Sequence, residues 1–393
     1  MKMKDICIKI GSGATPRGGK EAYIDTGISL IRSQNVLDFS FSYDGLAYIN
    51  EQQADKLSNV TVESGDVLLN ITGDSVARAC VVEDKVLPAR VNQHVAIVRA
   101  NTELALSSYI LYFLQMSKPY LLQIAAGGAT RNALTKGMIE ELEIEVPVIE
   151  QQRKIVSLVD DIRGKIKNNN EINDNLEQQA QAYFQELFID NANPEWTIGT
   201  ISDLGTVIGG STPSKAKPEY YTEAGIAWIT PKDLSINKSK FISHGENDIT
   251  ELGLKNSSAS LMPEGTVLFS SRAPIGYIAI AAGEVTTNQG FKSVVPKTEI
   301  GTAFVYYFLK HNLPVIEGMA SGSTFKEVSG STMKGVPAVI PDTETLTRFN
   351  DFCIPIFATQ RTLEEQNQSL SALRDSLLPK LMSGEIDISD IQL

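Results

Sequence analysis

The longest regular pattern of apolar positions runs from Val146 to Phe188, a stretch with no proline after Pro147 and no glycine except Gly164. Ile155, Val159, Ile162, Ile166, Leu176, Ala180, Tyr183 and Leu187 recur at threes and fours, with Asn169 and Asn173 on the same stripe. Heptad spacing of this kind predicts one long amphipathic helix with a coiled-coil seam, and polar seam residues set the register of a partner helix. At 1.5 Å per residue, roughly 39 residues span about 58 Å, more than an ordinary globular domain requires. Such a helix is a spacer.

The flanking pattern is different. Residues 1–145 are rich in β-branched types interrupted by Gly, Asn, Asp and Pro, with short apolar runs at 27–31, 67–71, 79–82 and 95–98. This predicts a strand-rich domain with long polar loops. Ser108 to Met116 reads as a short buried helix, and Glu140 to Val146 as a closing strand before Pro147. After the long helix, Asn193-Pro194-Glu195-Trp196 marks a turn into a new unit.

From Trp196 onward the first half is repeated in order. Thr15-Pro16 recurs as Thr212-Pro213, YIDTGISLI (23–31) as YTEAGIAWI (221–229), and GDVL (65–68) as GTVL (265–268). Asn92-Gln93 recurs as Asn288-Gln289, Tyr112-Phe113-Leu114 as Tyr307-Phe308-Leu309, and GGATRNAL (127–134) as SGSTFKEV (321–328). One constant offset maps Ile155 onto Phe349, Ile162 onto Ile356, Leu176 onto Leu370, Leu187 onto Leu381 and Asn173 onto Asn367. A second long helix is therefore expected from about Glu344 to Met382, and Pro355 within it removes a backbone donor and should kink it, setting off its first two turns as a separate segment.

The predicted fold is α+β, with two repeated strand-rich domains separated by two long helices. The domains are 1–146 and 194–341; the helices are 147–190 and 342–384. If the halves are related by a pseudo-twofold axis, the helices run antiparallel as a coiled coil and cover each other's seams, which solvated single helices would leave exposed.

Charge and composition narrow the function. The chain has 393 residues, 42% of them hydrophobic and 21% charged, as expected for two or three packed domains. A formal net charge of −12 argues against a protein that coats nucleic acid, though not against local basic surfaces. Cys7, Cys80 and Cys353 form no CxxC pair, so neither a disulfide framework nor a zinc site is supported. No apolar run is long enough to span a membrane and MKMKDICIKIGSG has no signal-peptide core, which predicts a cytoplasmic protein with no membrane partner.

The usual catalytic constellations are missing. His94, His244 and His311 have no second ligand at metal-site spacing, and neither GxGxxG nor GxxxxGK[ST] nor GxSxG is present. Asn193-Pro194-Glu195-Trp196 resembles the Asn-Pro-Pro-aromatic motif of amino-methyltransferases only in part, with no glycine-rich cofactor loop before it.

Recognition chemistry, in contrast, is concentrated in the repeated loops. The first half carries Thr15, Arg17, Lys20, Arg32, Gln34, Asn35, Thr72, Arg78, Arg90, Asn92, Gln93, His94, Thr130, Arg131 and Asn132. The second carries Thr212, Ser214, Lys215, Lys217, Thr230, Lys232, Ser271, Arg272, Asn288, Gln289, Lys292, Ser323, Thr324 and Lys326. Arg and Lys bridge guanine O6 and N7, Asn and Gln pair with adenine, and hydroxyls and loop amides hold phosphates. A single residue of this kind is more often solvated; the weight lies in the clustering within equivalent loops of both halves.

IGSGATPRGGKEAY and IGGSTPSKAKPEYY, the GDVL and GTVL strands, NPEW, and above all LEIEVPVIEQQRKIVSLVDDI resemble the specificity subunit of Type I restriction-modification systems along essentially the whole chain. The second copy departs from the pattern, because PAVIPDTETLTRF lacks the Glu-Gln pair. The resemblance implies a noncatalytic protein whose two target-recognition domains each read half of a split double-stranded DNA site, with the helices as a ruler. It implies two methyltransferase subunits and motor-nuclease subunits as partners. The chain itself would hold no cofactor; S-adenosylmethionine, and ATP with magnesium, would belong to those partners. The competing readings are a coiled-coil adapter binding protein or carbohydrate, and a free-standing methyltransferase or nuclease.

Overall fold

The computed structural model of the chain describes residues 1–127, 132–272, 274–322 and 326–388. It divides into two compact units, one formed by 1–165 with 369–393 and the other by 166–368. Each long helix supplies residues to both.

In the first unit the strands are β1 (Cys7–Ser12), β2 (Ile28–Ile31), β3 (Ala47–Ile49), β4 (Thr61–Val62), β5 (Val67–Asn70), β6 (Ala79–Val81), β7 (Ala89–Val91) and β8 (Val95–Ala100). One sheet has the order β1-β8-β5-β6 and is antiparallel throughout; the other has the order β3-β2-β7-β4, with β2 and β7 parallel. The near-continuous apolar run of β5 follows from burial on both faces. Val67 and Leu69 face a cluster that holds helix α1 (Ser107–Met116), while Leu68 faces the second sheet with Cys80 and Ile97. The layers are thus helices, a central sheet and an outer sheet.

The long helix α3 (Ile149–Gln185) follows α2 (Lys118–Ala125), and a π-type turn over Glu186–Asp190 extends it. In the first unit its Ile155 and Val159 join the core beside Leu378, Leu381 and Met382. A polar anchor lies next to them. The Tyr112 hydroxyl donates to Asp160 and accepts from Arg163 Nη1 at 2.8 Å, while Arg163 Nη2 donates to the Phe39 carbonyl at 2.6 Å.

The second unit repeats the plan with β9 (Thr197–Thr200), β10 (Gly205–Gly209), β11 (Tyr221–Thr222), β12 (Ile226–Ile229), β13 (Phe241–Ile242), β14 (Asn247–Ile249), β15 (Val267–Ser271), β16 (Ile275–Ala281), β17 (Thr286–Thr287), β18 (Lys292–Pro296) and β19 (Pro337–Ile340). Its sheets have the orders β10-β18-β15-β16-β13 and β11-β14-β12-β17, and β19 pairs with β9. Val267 and Phe269 face the helices and Leu268 the outer sheet, the same alternation as in β5.

The core of this unit is aromatic. Phe184 from α3 and Phe188 from the turn that extends it pack on Phe304 of α4 (Thr302–His311) and on Phe349 of the last long helix, α5 (Thr343–Met382). Contacts in this unit run from Phe184 against Phe349, through Asn173 with Gln360, to Asn169 with Asn367, so the two helical segments are antiparallel. Asn169, fully buried, donates to Asn367 at 2.9 Å, and Asn367 donates to Asn170 at 2.8 Å. The residue that meets Asn367 is therefore Asn169, not its repeat counterpart Asn173. In an antiparallel pair, equivalent residues do not face each other except at the centre.

Two expectations are corrected. Pro355 does not set off the first turns of α5, which is helical from Thr343 to Met382. Phe349, Cys353 and Ile356 are buried on either side of it, while Asp351, the residue whose carbonyl loses its i+4 donor, is exposed to water. The segment 140–146 is not a strand either: Lys136–Glu140 is a helical turn, and one bridge, Lys2 to Glu143, stands where β9 and β19 form a four-residue ladder.

An ionic cluster of buried Lys240 with half-buried Glu177 and Lys310 ties α3 to the second unit's sheet and helix. Glu177 pairs with Lys240 and accepts from Lys310 at 2.6 Å and from the Tyr307 hydroxyl at 2.8 Å. Lys240 also donates to Gln360 at 2.6 Å, and burial lowers its ammonium against the opposing pull of Glu177. Burial works to raise the Glu177 carboxyl, but the charges and hydrogen bonds of Lys240 and Lys310 outweigh it and hold it down to about 2. Its ionised form thus contributes stability that is complete above its ordinary value of 4.5 and is lost as pH falls toward 2. The chain's two tryptophans, Trp196 and Trp228, both lie in this unit. Acid titration followed by tryptophan fluorescence should show the second unit unfolding across that window. Glu177→Gln should destabilise it at pH 7 by about 3 kcal/mol, because Lys240 loses its counter-ion, and should show a shallower acid dependence.

Candidate nucleic-acid interface

The topology brings the repeated loops together. In the first unit β1, β2, β5 and β7 all end where β8 begins, because β1 and β5 run antiparallel to β8 and β2 runs parallel to β7. Backbone bonds knit the loops: Ala14 N to Val91 O at 3.0 Å, Asn92 N to Ile31 O at 3.0 Å, Ile71 N to His94 O at 2.9 Å and Gly73 N to Asn132 O at 3.2 Å. The second unit does the same at the ends of β10, β12, β15 and β17, with Ser211 N to Thr287 O at 2.9 Å, Asn288 N to Ile229 O at 3.0 Å and Val328 N to Ser271 O at 3.0 Å.

The candidates fall into three groups. Thr15, Arg17, Gln34, Gln93, Asn132, Ser214, Lys215, Lys217, Lys232, Gln289 and Lys326 are exposed. Arg32, Thr72, Arg78, Arg90, His94, Thr212, Thr230, Arg272, Asn288 and Lys292 are half-buried, and Asn35, Asn92 and Ser271 are buried. Thr130, Arg131, Ser323 and Thr324, and the side chain of Lys20, lie outside the described residues.

Several half-buried and buried members shape the loops. Asn35 donates to Ser42 O at 3.0 Å and Asp44 O at 3.2 Å, and Asn92 Oδ1 accepts from His94 N at 3.1 Å. Asn288 Oδ1 accepts from Gly290 N at 2.8 Å, the same local turn in the second copy. Ser271 donates to Gly290 O at 3.1 Å, Arg90 Nε donates to Ala54 O at 3.0 Å, and Thr230 caps the following helical turn through Asp233. Arg32 donates to the Gly45 carbonyl and lies over the Tyr23 ring.

The two loop clusters differ chemically. In the first, Thr72 Oγ1 meets His94 Nδ1 at 2.6 Å, and Gln93 Nε2 lies 3.3 Å from His94 Nε2, a contact among polar side chains with no carboxylate in it. In the second, Thr212 donates to Gln289, and Glu327 faces Lys292 at 3.5 Å and Arg272 at 3.8 Å. Glu327 was missing from the expected set. It lies inside the repeated SGSTFKEV segment, where the first copy has Ala133, so the signal was a charge at a position that is apolar in the other half.

Other site types find little support. Among the described residues no group of three or more His, Cys, Asp or Glu could hold a metal ion, and no described helix is long and apolar enough to cross a membrane. A cleft of about 210 Å³ in the second unit is lined by Phe184, Trp196, Phe304, His311 and Pro337, without any loop candidate.

With this geometry, comparison with known proteins identifies the family. The model of the Type I restriction modification DNA specificity domain matches residues 1–178 and again 193–369. The chain belongs to that family and is a specificity component rather than a catalytic one. It is 43% identical over 163 residues to the Type I restriction enzyme MjaIX specificity subunit of Methanocaldococcus jannaschii, a match covering 41% of this chain and 38% of that protein. It is 23% identical over 403 residues to the HindI specificity subunit of Haemophilus influenzae, covering 83% of this chain and 87% of that one. The fold is similar to a crystal structure of the Type-I restriction-modification system S subunit from M. genitalium, with TM-score 0.58 and 15% identity over 97% of this chain and 95% of that one.

Gly210 tests how tightly the second loop cluster is built. A Cβ there would overlap the Asn288 and Thr287 carbonyl oxygens, whereas one on Gly209 would meet only Lys292 Cδ at 3.9 Å. Gly210→Ala should destabilise the second unit by about 1–3 kcal/mol, since backbone atoms cannot yield as a side chain can. Gly209→Ala should not. Urea unfolding followed by fluorescence distinguishes them, because the Trp228 indole donates to the adjacent Ser211 carbonyl at 3.0 Å.

Proposed function

We propose that the chain is the sequence-reading subunit of a Type I restriction-modification assembly, in which each unit reads one half of a bipartite double-stranded DNA site through its loop cluster. The observation that carries this reading is the duplicated convergence of loops at the ends of equivalent strands, presenting Thr15, Gln93 and Asn132 in one unit and Gln289, Lys292 and Lys326 in the other. Side chains of these types match base edges and phosphates. The differences between the two clusters suit two unlike half-sites. An acidic chain reads DNA in this way when its basic residues gather in the loops and partner subunits supply further phosphate contacts.

The paired helices act as the ruler between half-sites and dock two methyltransferase subunits; motor-nuclease subunits join the assembly. S-adenosylmethionine, and ATP with magnesium, belong to those partners, and the assembly works in the cytoplasm. Changing Gln93 with Asn132 should alter adenine methylation at one half-site, and changing Gln289 with Lys326 at the other. Mapping methylated adenines in cellular DNA reads both, and an unchanged methylation pattern would remove these residues from the site. A heptad inserted into each helix beside the Asn169 and Asn367 contact adds roughly 10 Å, so the preferred spacer should lengthen by about three base pairs. A spacer preference identical to the original would sink the ruler.

A further inference from the structure

The second loop cluster contains a carboxylate set against two cations. Glu327 lies 3.5 Å from Lys292 Nζ and 3.8 Å from Arg272 Nη1, two cations of this loop cluster. Its place is fixed by backbone: Glu327 N donates to Ser321 O at 2.9 Å and its carbonyl accepts from Ser321 N at 3.1 Å. Arg272 bridges the same strand-like segment, and Lys292 is further held by Ser271 Oγ at 3.5 Å and Gln289 O at 3.4 Å. Both pairs are long, and the carboxylate side chain is 40% exposed. An ion pair so open to water is weak and exchangeable.

We propose that Glu327 is an internal counter-ion that withholds Arg272 and Lys292 from non-cognate DNA and releases them when the second unit meets its matching half-site. The proposal rests on the DNA-reading function above. A cation already neutralised by a carboxylate releases no counter-ion from a phosphate, so it adds nothing to sequence-independent binding. At a matching half-site the loops approach closely enough for phosphate oxygens to replace the carboxylate. In the first unit Ala133 stands at the equivalent position, so this place in the repeat holds no carboxylate. The acidic residue thereby raises discrimination by lowering background affinity, the repulsive half of specificity.

The test uses the full chain assembled with its modification subunits and two duplexes, one carrying its methylation site and one of scrambled sequence, across a salt series. Glu327→Gln should strengthen scrambled-duplex binding about tenfold and steepen the log–log salt slope by about 1, the change expected for one additional phosphate neutralised. Binding to the cognate duplex should change less, so the specificity ratio falls. Glu327→Ala should do the same, and Glu251→Gln, an equal charge change at an exposed pair with Lys255, should do neither. Two results would overturn the proposal while leaving DNA reading intact: unchanged scrambled-duplex binding, or weakened cognate binding with a new base preference, which would make Glu327 a direct reader of a base edge. If the unaltered assembly shows no salt-dependent binding to either duplex, DNA reading itself fails and the proposal with it.

Discussion

Each long helix carries an apolar stripe that it cannot keep from water alone, and burial of those stripes governs the rest of the structure. In the first unit Ile155 and Val159 are covered by Leu378 and Leu381; in the second Ala180 and Phe184 are covered by Phe349 and Cys353. Within each unit a segment of one helix is thus completed by a segment of the other. The buried helices α1 and α4, with their repeated Tyr-Phe-Leu, then seat the sheets on the covered stripe. A change to the stripe therefore acts on the strands above it, and through them on the loops at the strand ends.

The polar anchors show how two copies of one plan diverge. Tyr112 and Tyr307 occupy equivalent positions, and both place a hydroxyl against the long helix. In the first unit the hydroxyl joins Asp160 and Arg163 on one helical surface. In the second it joins a partly buried cluster of Glu177, Lys240 and Lys310, with Gln360 alongside. Removing one member of such a cluster leaves another charge without its counter-ion, so the seating of the second unit is less tolerant of substitution. The loop clusters diverge in the same direction, from a Thr72 and His94 hydrogen bond to the ion pairs around Glu327.

The net negative charge does not reside in the long helices, where acidic residues such as Glu150 and Glu171 are nearly balanced by basic ones such as Arg153 and Lys167. The loop clusters gather lysine, arginine, asparagine and glutamine at one end of each pair of sheets. Charge at that end matters locally, because screening confines surface electrostatics to about 8 Å at physiological salt.

The long helices, the internal repeat, four of the first half's strands (β2, β5, β6 and β8) and the resemblance to the specificity family were legible in the order of residues, whereas β1, β3, β4 and β7 were not. Periodicity and duplication are local or linear properties and need no contacts to be read. The closing strand at 140–146 and a helix interrupted at Pro355 were not legible correctly. A strand needs a paired neighbour, and a proline is tolerated where packing holds both sides and water takes the freed carbonyl. Burial of Asn35, Asn92 and Ser271, polar residues of the repeated loops, was likewise decided by the turns around them. Asn367 faces Asn169 rather than its repeat partner because antiparallel packing, not sequence equivalence, sets which residues meet. Glu327 could be read as a letter in a repeated segment, but its opposition to Arg272 and Lys292 exists only once residues more than thirty positions apart are folded together.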